Sequence, residues 1–273
     1  MKSFRRRRWT YLSVTLVMAV LLAAIWGLGR TALRPVAMYS GALLLALITG
    51  LLLFNARKKL PFLPLLKAST WLQVHVYAGW LTVLVYGLHV GFRWPSGRLG
   101  LMLAGLFFFV TASGLVGLWL SRWLPPRMAR SGESLIYERI PLLRHRLQTE
   151  AREAVRLAAT EANSTTLEDF YLRMLGPYLA SEPWLFLALA GDDPRHHRVR
   201  AELMELRRYL DPREVAYADQ LGDVVEAKRG LDFQLAGQRL LKFWLFMHIP
   251  LSYALLILSF VHAWLALRYS GRW

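Results

Sequence analysis

The sequence predicts an all-α membrane protein, a bundle of about five transmembrane helices with a helical soluble insertion before the last. Three observations carry that expectation. The 273-residue chain is 55 % hydrophobic, and its apolar residues come in blocks of about twenty, the length that crosses a bilayer. All 18 acidic residues fall between Glu133 and Asp232. Residues 1–124 and 243–273 hold 14 and 2 of the 34 Lys and Arg, so the whole net charge of +16 belongs to the apolar parts. Basic flanks that orient spans explain that distribution; a nucleic-acid surface would gather its bases on a soluble face instead.

The spans follow in order. Lys2 and Arg5–Arg8 precede an apolar stretch from Tyr11 to Leu28. That stretch is longer than a typical signal core and Ile25–Gly29 has no clear small-x-small site, so an uncleaved first span is expected. A second span runs from about Val36 to Phe54. Arg57, Lys58, Lys59 and Lys67 then crowd a connection that Pro61 and Pro64 keep from being helical. The third span covers about 71–92, Arg93–Arg98 forms a short turn, and the fourth covers Leu99 to Leu120. After Pro125-Pro126 the composition becomes that of a soluble protein, and the fifth span runs from about Leu241 to Leu267. The expected organisation is a membrane domain over 1–124, a soluble helical insertion over 125–240 and a last span within 241–273.

Within the insertion, Leu142, Leu143, Leu147, Ala151, Val155 and Ala158 repeat at helical spacing. Ser164–Glu168, Asp192-Asp193-Pro194 and Asp211–Glu214 carry helix-start signals. Asp232 is expected to cap a helix that continues into the fifth span. His196-His197, between Arg195 and Arg198, is expected on a solvated face. The segment has no G-x-G-x-x-G and no G-x-x-x-x-G-K-[ST].

Basic residues set the expected orientation. The N-terminal segment has five and the 55–70 connection four, against two in each short turn between. Five spans with the N-terminus inside put the 125–240 insertion in the cytoplasm. They also make the third and fifth spans parallel.

The chemistry lies on those two spans. His75 and His89 are fourteen residues apart on the third, and His248 and His262 repeat the separation on the fifth. Fourteen helical steps return a side chain to within roughly 40° of its starting azimuth and move it about 21 Å along the axis. Parallel helices then match His75 with His248 and His89 with His262 in depth, and each pair can clamp one metal centre. Small residues occupy the faces between: Ala78, Gly79 and Thr82 on one, Ser252 and Ser259 on the other. A lone membrane histidine is more often a hydrogen-bonded interior residue or a proton relay; two equal pairs at matching depth argue for ligands. A neutral imidazole can ligate through one nitrogen while the other donates, commonly to a carbonyl one turn earlier in its own helix. There is no cysteine, which excludes disulfides, cysteine-ligated iron–sulfur clusters and C-x-x-C-H attachment.

The segments H-V-Y-A-G-W-L-T-V-L-V-Y-G-L-H (75–89) and H-I-P-L-S-Y-A-L-L-I-L-S-F-V-H (248–262) resemble the cytochrome b membrane core of respiratory complexes and the ferric reductase-like transmembrane domain. The resemblance covers about 150 residues, and placement on the third and fifth spans favours the ferric reductase-like group. It implies two haem b groups with axial ligands His75–His248 and His89–His262, and propionates within reach of Arg57, Lys59, Arg93 or Arg98. The chain departs from those enzymes by lacking a flavin and nicotinamide domain and by its long insertion.

The expected function is electron transfer across a membrane, between a cytoplasmic or quinone donor and an extracytoplasmic acceptor, as the electron-transfer subunit of an oxidoreductase complex. The expected partners are membrane lipid, quinone and a redox protein such as a c-type cytochrome. The expected location is a bacterial cytoplasmic (inner) membrane. One alternative is a quinol oxidase-type or metal reductase subunit. The other is a haem-free transporter with histidine relays, against which stands the absence of any acidic residue from the spans.

Overall fold

A computed structural model describes residues 2–31, 36–56, 68–130, 137–162 and 165–269. Every regular element among them is helical. The helices are α1 (Lys2–Thr31), α2 (Val36–Ala56), α3 (Ala68–Val90), α4 (Arg98–Arg130), α5 (Ile140–Ala162), α6 (Thr166–Phe170), α7 (Gly176–Ala180), α8 (Leu185–Ala190), α9 (Pro194–Leu206) and α10 (Pro212–Tyr269). A single 3₁₀ turn precedes α5, and a π turn over Tyr171–Leu175 joins α6 to α7.

Among the described residues four helices are long and apolar enough to cross a membrane, with the segments Trp9–Arg30, Val36–Leu53, Arg98–Ala129 and Pro212–Tyr269. The protein is an all-α membrane protein. Five spans were expected, and α3 is the one outside that set. Its 23 residues give the length, but Trp71, Gln73, His75, Tyr77, Trp80, Tyr86 and His89 dilute its hydropathy. A helix lying backbone-to-backbone against α1 and α2, as α3 does, presents less of itself to lipid and tolerates that dilution. α10 has 58 residues, about 87 Å at 1.5 Å per residue, so its first half extends beyond any bilayer.

The chain divides into two compact units, residues 1–118 with 245–273, and residues 119–244. The divisions fall inside α4 and α10, not at the composition steps at 124/125 and 240/241, because both helices run through the change in polarity. The fourth span was expected to cover about Leu99 to Leu120; α4 runs on past it, through Pro125 and Pro126, to Arg130. Each proline forfeits one backbone hydrogen bond. Local packing offsets that loss, since Leu124 is fully buried and the Arg127 guanidinium lies 4.2 Å from the Trp123 ring centroid.

In the first unit, Leu44 and Ile48 of α2, Val85 of α3, Phe107 of α4 and Leu255 of α10 form a buried apolar layer. Tyr86 stacks on Phe107 with centroids 4.2 Å apart, and Tyr11 stacks on Tyr77 at 5.8 Å. α3 ends in a Schellman turn: the Phe92 N–H donates to the Gly87 carbonyl and the Gly91 N–H to Leu88. Gly91 takes the left-handed conformation such a turn requires, with φ 64°.

In the second unit, α5 contributes Ala151, Ala154, Val155 and Ala158 to a core shared with Phe170, Leu175, Leu179, Val199, Leu203, Leu221 and Val225. Leu142, expected on that face, is exposed; it lies in the first turn of α5, outside this core. Asp193 caps α9 by accepting from the Arg195 N–H, with Pro194 at the first helical position. The Asp211 N–H donates to Glu214 at the start of α10, half of a capping box. Thr165 precedes α6 without a side-chain cap.

Two expectations fail here for the same reason, which is that α10 begins at Pro212 and packs as one continuous helix. Asp232 caps nothing. It lies mid-helix, buried, in an ion pair with the equally buried Lys228 one turn back. His196, expected in solvent, is 1 % exposed and sits between the Tyr178 hydroxyl and Glu226 of α10. Only His197 faces water, pairing with Asp192.

Candidate functional site

The site lies in the first unit, on the face where α3 meets α10. His89 and His262 have ring centroids 6.3 Å apart with planes 85° to one another. His75 and His248 lie within electrostatic range of each other, as do His89 and His262. The four histidines therefore gather into two pairs, each taking one ring from α3 and one from α10. All four rings are half-buried. α3 and α10 are parallel by this pairing, and Val85 of α3 and Leu255 of α10 belong to one buried apolar cluster.

The ring orientations are set by helices that sequence reasoning left without a role. His75 Nδ1 donates to the Leu51 carbonyl at 3.2 Å, and His89 Nδ1 to the Ala37 carbonyl at 3.0 Å. A carbonyl only accepts, so Nδ1 carries the proton in both rings, and in the neutral imidazole Nε2 is then the nitrogen with the lone pair. Leu51 and Ala37 belong to α2 and are themselves fourteen residues apart. Antiparallel to α3, α2 thus presents one acceptor at each histidine level. The acceptors were expected one turn earlier in the histidines' own helix. Those carbonyls are engaged in the helical ladder, while α2 packs close enough to offer its own.

That closeness has a local cause. Ser40 and Gly41 of α2 face His89, with Ser40 Oγ 3.4 Å from Nδ1. A Cβ on Gly41 would come within 2.9 Å of His89 Cε1. Ser40 turns its own hydroxyl back onto the Val36 and Ala37 carbonyls. On α10, His248 Nδ1 lies 3.2 Å from Ser113 Oγ of α4. Small residues at helix contacts are the only sequence signal for these positions, and it is a weak one.

Between the two levels the space is closed by Thr82, Val85, Leu255 and the Tyr86–Phe107 stack. Thr82 spends its hydroxyl on the Ala78 carbonyl, and Ser252 on the His248 carbonyl.

Among the described residues no group of three or more metal-ligating side chains converges. What the histidines offer is a two-point axial grip, which suits a metal already held equatorially by another group. Two imidazoles sharing one ion at metal–nitrogen distances of about 2 Å stand with centroids roughly 6 Å apart, so the His89–His262 separation fits such a grip. Arg93 and Arg98 are exposed, at the end of α3 that carries His89; Arg57 and Lys59 lie outside the described residues. Searches of protein-family models, curated proteins and solved structures find no match to the chain.

Proposed function

We propose that the protein is a two-haem b-type cytochrome that carries electrons across a membrane, serving as the electron-transfer subunit of an oxidoreductase complex. The observation that carries the proposal is the pairing of His75 with His248 and His89 with His262, with Nδ1 of both α3 histidines committed to α2 carbonyls. Nε2 is thereby left as the ligating atom on each α3 ring. One haem is assigned to each pair.

A haem held by His75 with His248, or by His89 with His262, would supply a reversible one-electron couple. The chain's own residues do the rest. The Leu51 and Ala37 carbonyls fix the imidazole tautomer and raise its basicity, and Ser113 holds the His248 ring. Val85, Phe107 and Leu255 exclude water between the levels. Spacing by fourteen residues offsets the two centres by about 21 Å along the helix axes, enough to relay an electron over most of a bilayer about 30 Å thick. The proposed setting is a bacterial cytoplasmic membrane with the N-terminus and the insertion inside, a quinone or cytoplasmic donor and an extracytoplasmic acceptor.

A pyridine haemochrome assay on protein purified from haem-replete cells, with haem counted per polypeptide, tests this. The expected result is two haem b per chain and a low-spin reduced-minus-oxidised spectrum. Protein that carries no haem overturns it.

A further inference from the structure

Of the buried polar side-chain atoms without a hydrogen-bond partner among the described residues, one belongs to the histidine bundle: Trp71 Nε1. Trp71 precedes His75 by four residues on α3, so the two side chains share a face about 6 Å apart along the axis. An indole N–H only donates. Leaving it buried and unmet is unfavourable, so such a donor points to an acceptor that the described residues do not provide.

We infer that Trp71 is a cofactor-binding residue, its Nε1–H donating to a carboxylate at the edge of the macrocycle gripped by His75 and His248. The inference rests on the two-haem proposal and deepens it. A carboxylate one helical turn beyond the ligand is the anionic acceptor that the orphan N–H lacks, and a hydrogen bond to an ionised acceptor is the stronger kind. Basic residues are then not required at that edge. Trp71 anchors through a neutral donor, which an apolar span accommodates at less cost than a cation.

Haem capture by excess apomyoglobin tests the assignment in the full-length protein in detergent. With Trp71→Phe, one of the two haems is expected to leave roughly tenfold faster or more, the worth of one charge-assisted hydrogen bond, while the other leaves at the wild-type rate. Trp80→Phe, an exposed position on the same helix, is expected to change neither. The second arm reconstitutes wild-type and Trp71→Phe chains with the dimethyl ester of haem. The ester carbonyl still accepts but carries no charge, so the difference between the two chains is expected to shrink. Equal release rates with ordinary haem overturn the assignment, as does an effect of Trp71→Phe that persists undiminished with the ester, because packing alone would produce that. A wild-type protein that binds no haem removes the functional proposal and this one together; two haems with an inert Trp71→Phe remove this one alone.

Discussion

The two units pair most of their polar side chains in opposite ways. In the histidine bundle the partners are neutral: two α2 carbonyls, a serine hydroxyl and the helices' own backbone. In the 119–244 unit the partners are charged. Lys228 pairs with Asp232 and donates to the Ser181 carbonyl. Arg144 and Arg239 both bind Glu182, Arg195 binds Asp193, and Arg200 and Arg229 both bind Glu226. Where the surroundings are apolar on all sides, a neutral pair avoids the desolvation penalty of an ion pair. A unit with an exposed surface can keep ion pairs, because most of these retain some contact with water.

The contrast can be broken from either side, and the largest effect belongs to the proposed haem ligands. His248→Ala is expected to leave one haem per chain by pyridine haemochrome, with amide exchange of the α5–α9 segment unchanged. Retention of both haems would detach His248 from its centre. Next comes Lys228→Ala, which strands the buried Asp232 carboxylate. It is expected to cost about 3–5 kcal/mol, read as loss of exchange protection in the 119–244 unit with the haem count intact. Gly41→Ala follows. Its new methyl must displace His89, so the His89–His262 centre is expected to lose affinity by about 1–3 kcal/mol in haem-release experiments while the other centre holds.

The smallest expected effect is a pH slope. Burial holds His196 below its ordinary value, outweighing the nearby Glu226 carboxylate, while Arg229, His197 and Arg200 push the same way as burial. The unfolded chain therefore binds this proton more readily than the folded one. The contribution of His196 to stability is intact above about pH 6.5 and falls as pH drops below it, levelling once the folded value is passed. Thermal melts of wild type and His196→Asn between pH 7.5 and 5 are expected to show a shallower acid-side decline in the variant. Parallel declines would assign the slope to other groups.

How legible each region was in the sequence follows from the same contrast. In the apolar spans a histidine is rare, so four of them at equal spacing on two helices stand out, and helical geometry alone gives the faces they share. In the insertion polarity is common, and nothing local distinguishes the buried His196 from the exposed His197. Their difference is made by α10, far along the chain. Asp232 was misjudged for a related reason: a cap signal is local, but the continuity of α10 through it depends on packing at Leu231, Leu235 and Ala236. The run of α4 through Pro125 and Pro126 is likewise a matter of packing, beside the buried Leu124. The α2 acceptors left no trace at all, because Ala37 and Leu51 act through main-chain oxygen.

That last point reaches into how the protein can vary. An acceptor made of main chain survives every side-chain replacement, so mutation at positions 37 or 51 cannot delete either bond outright. Drift there is tolerated provided the residue still fits, whereas a change in bulk at Gly41 acts on the same ring at once. The wiring of the two α3 imidazoles is in this sense genetically silent. Detuning it takes a slide of the whole of α2, or a chemical edit of the backbone such as an amide-to-ester replacement after residue 37 or 51.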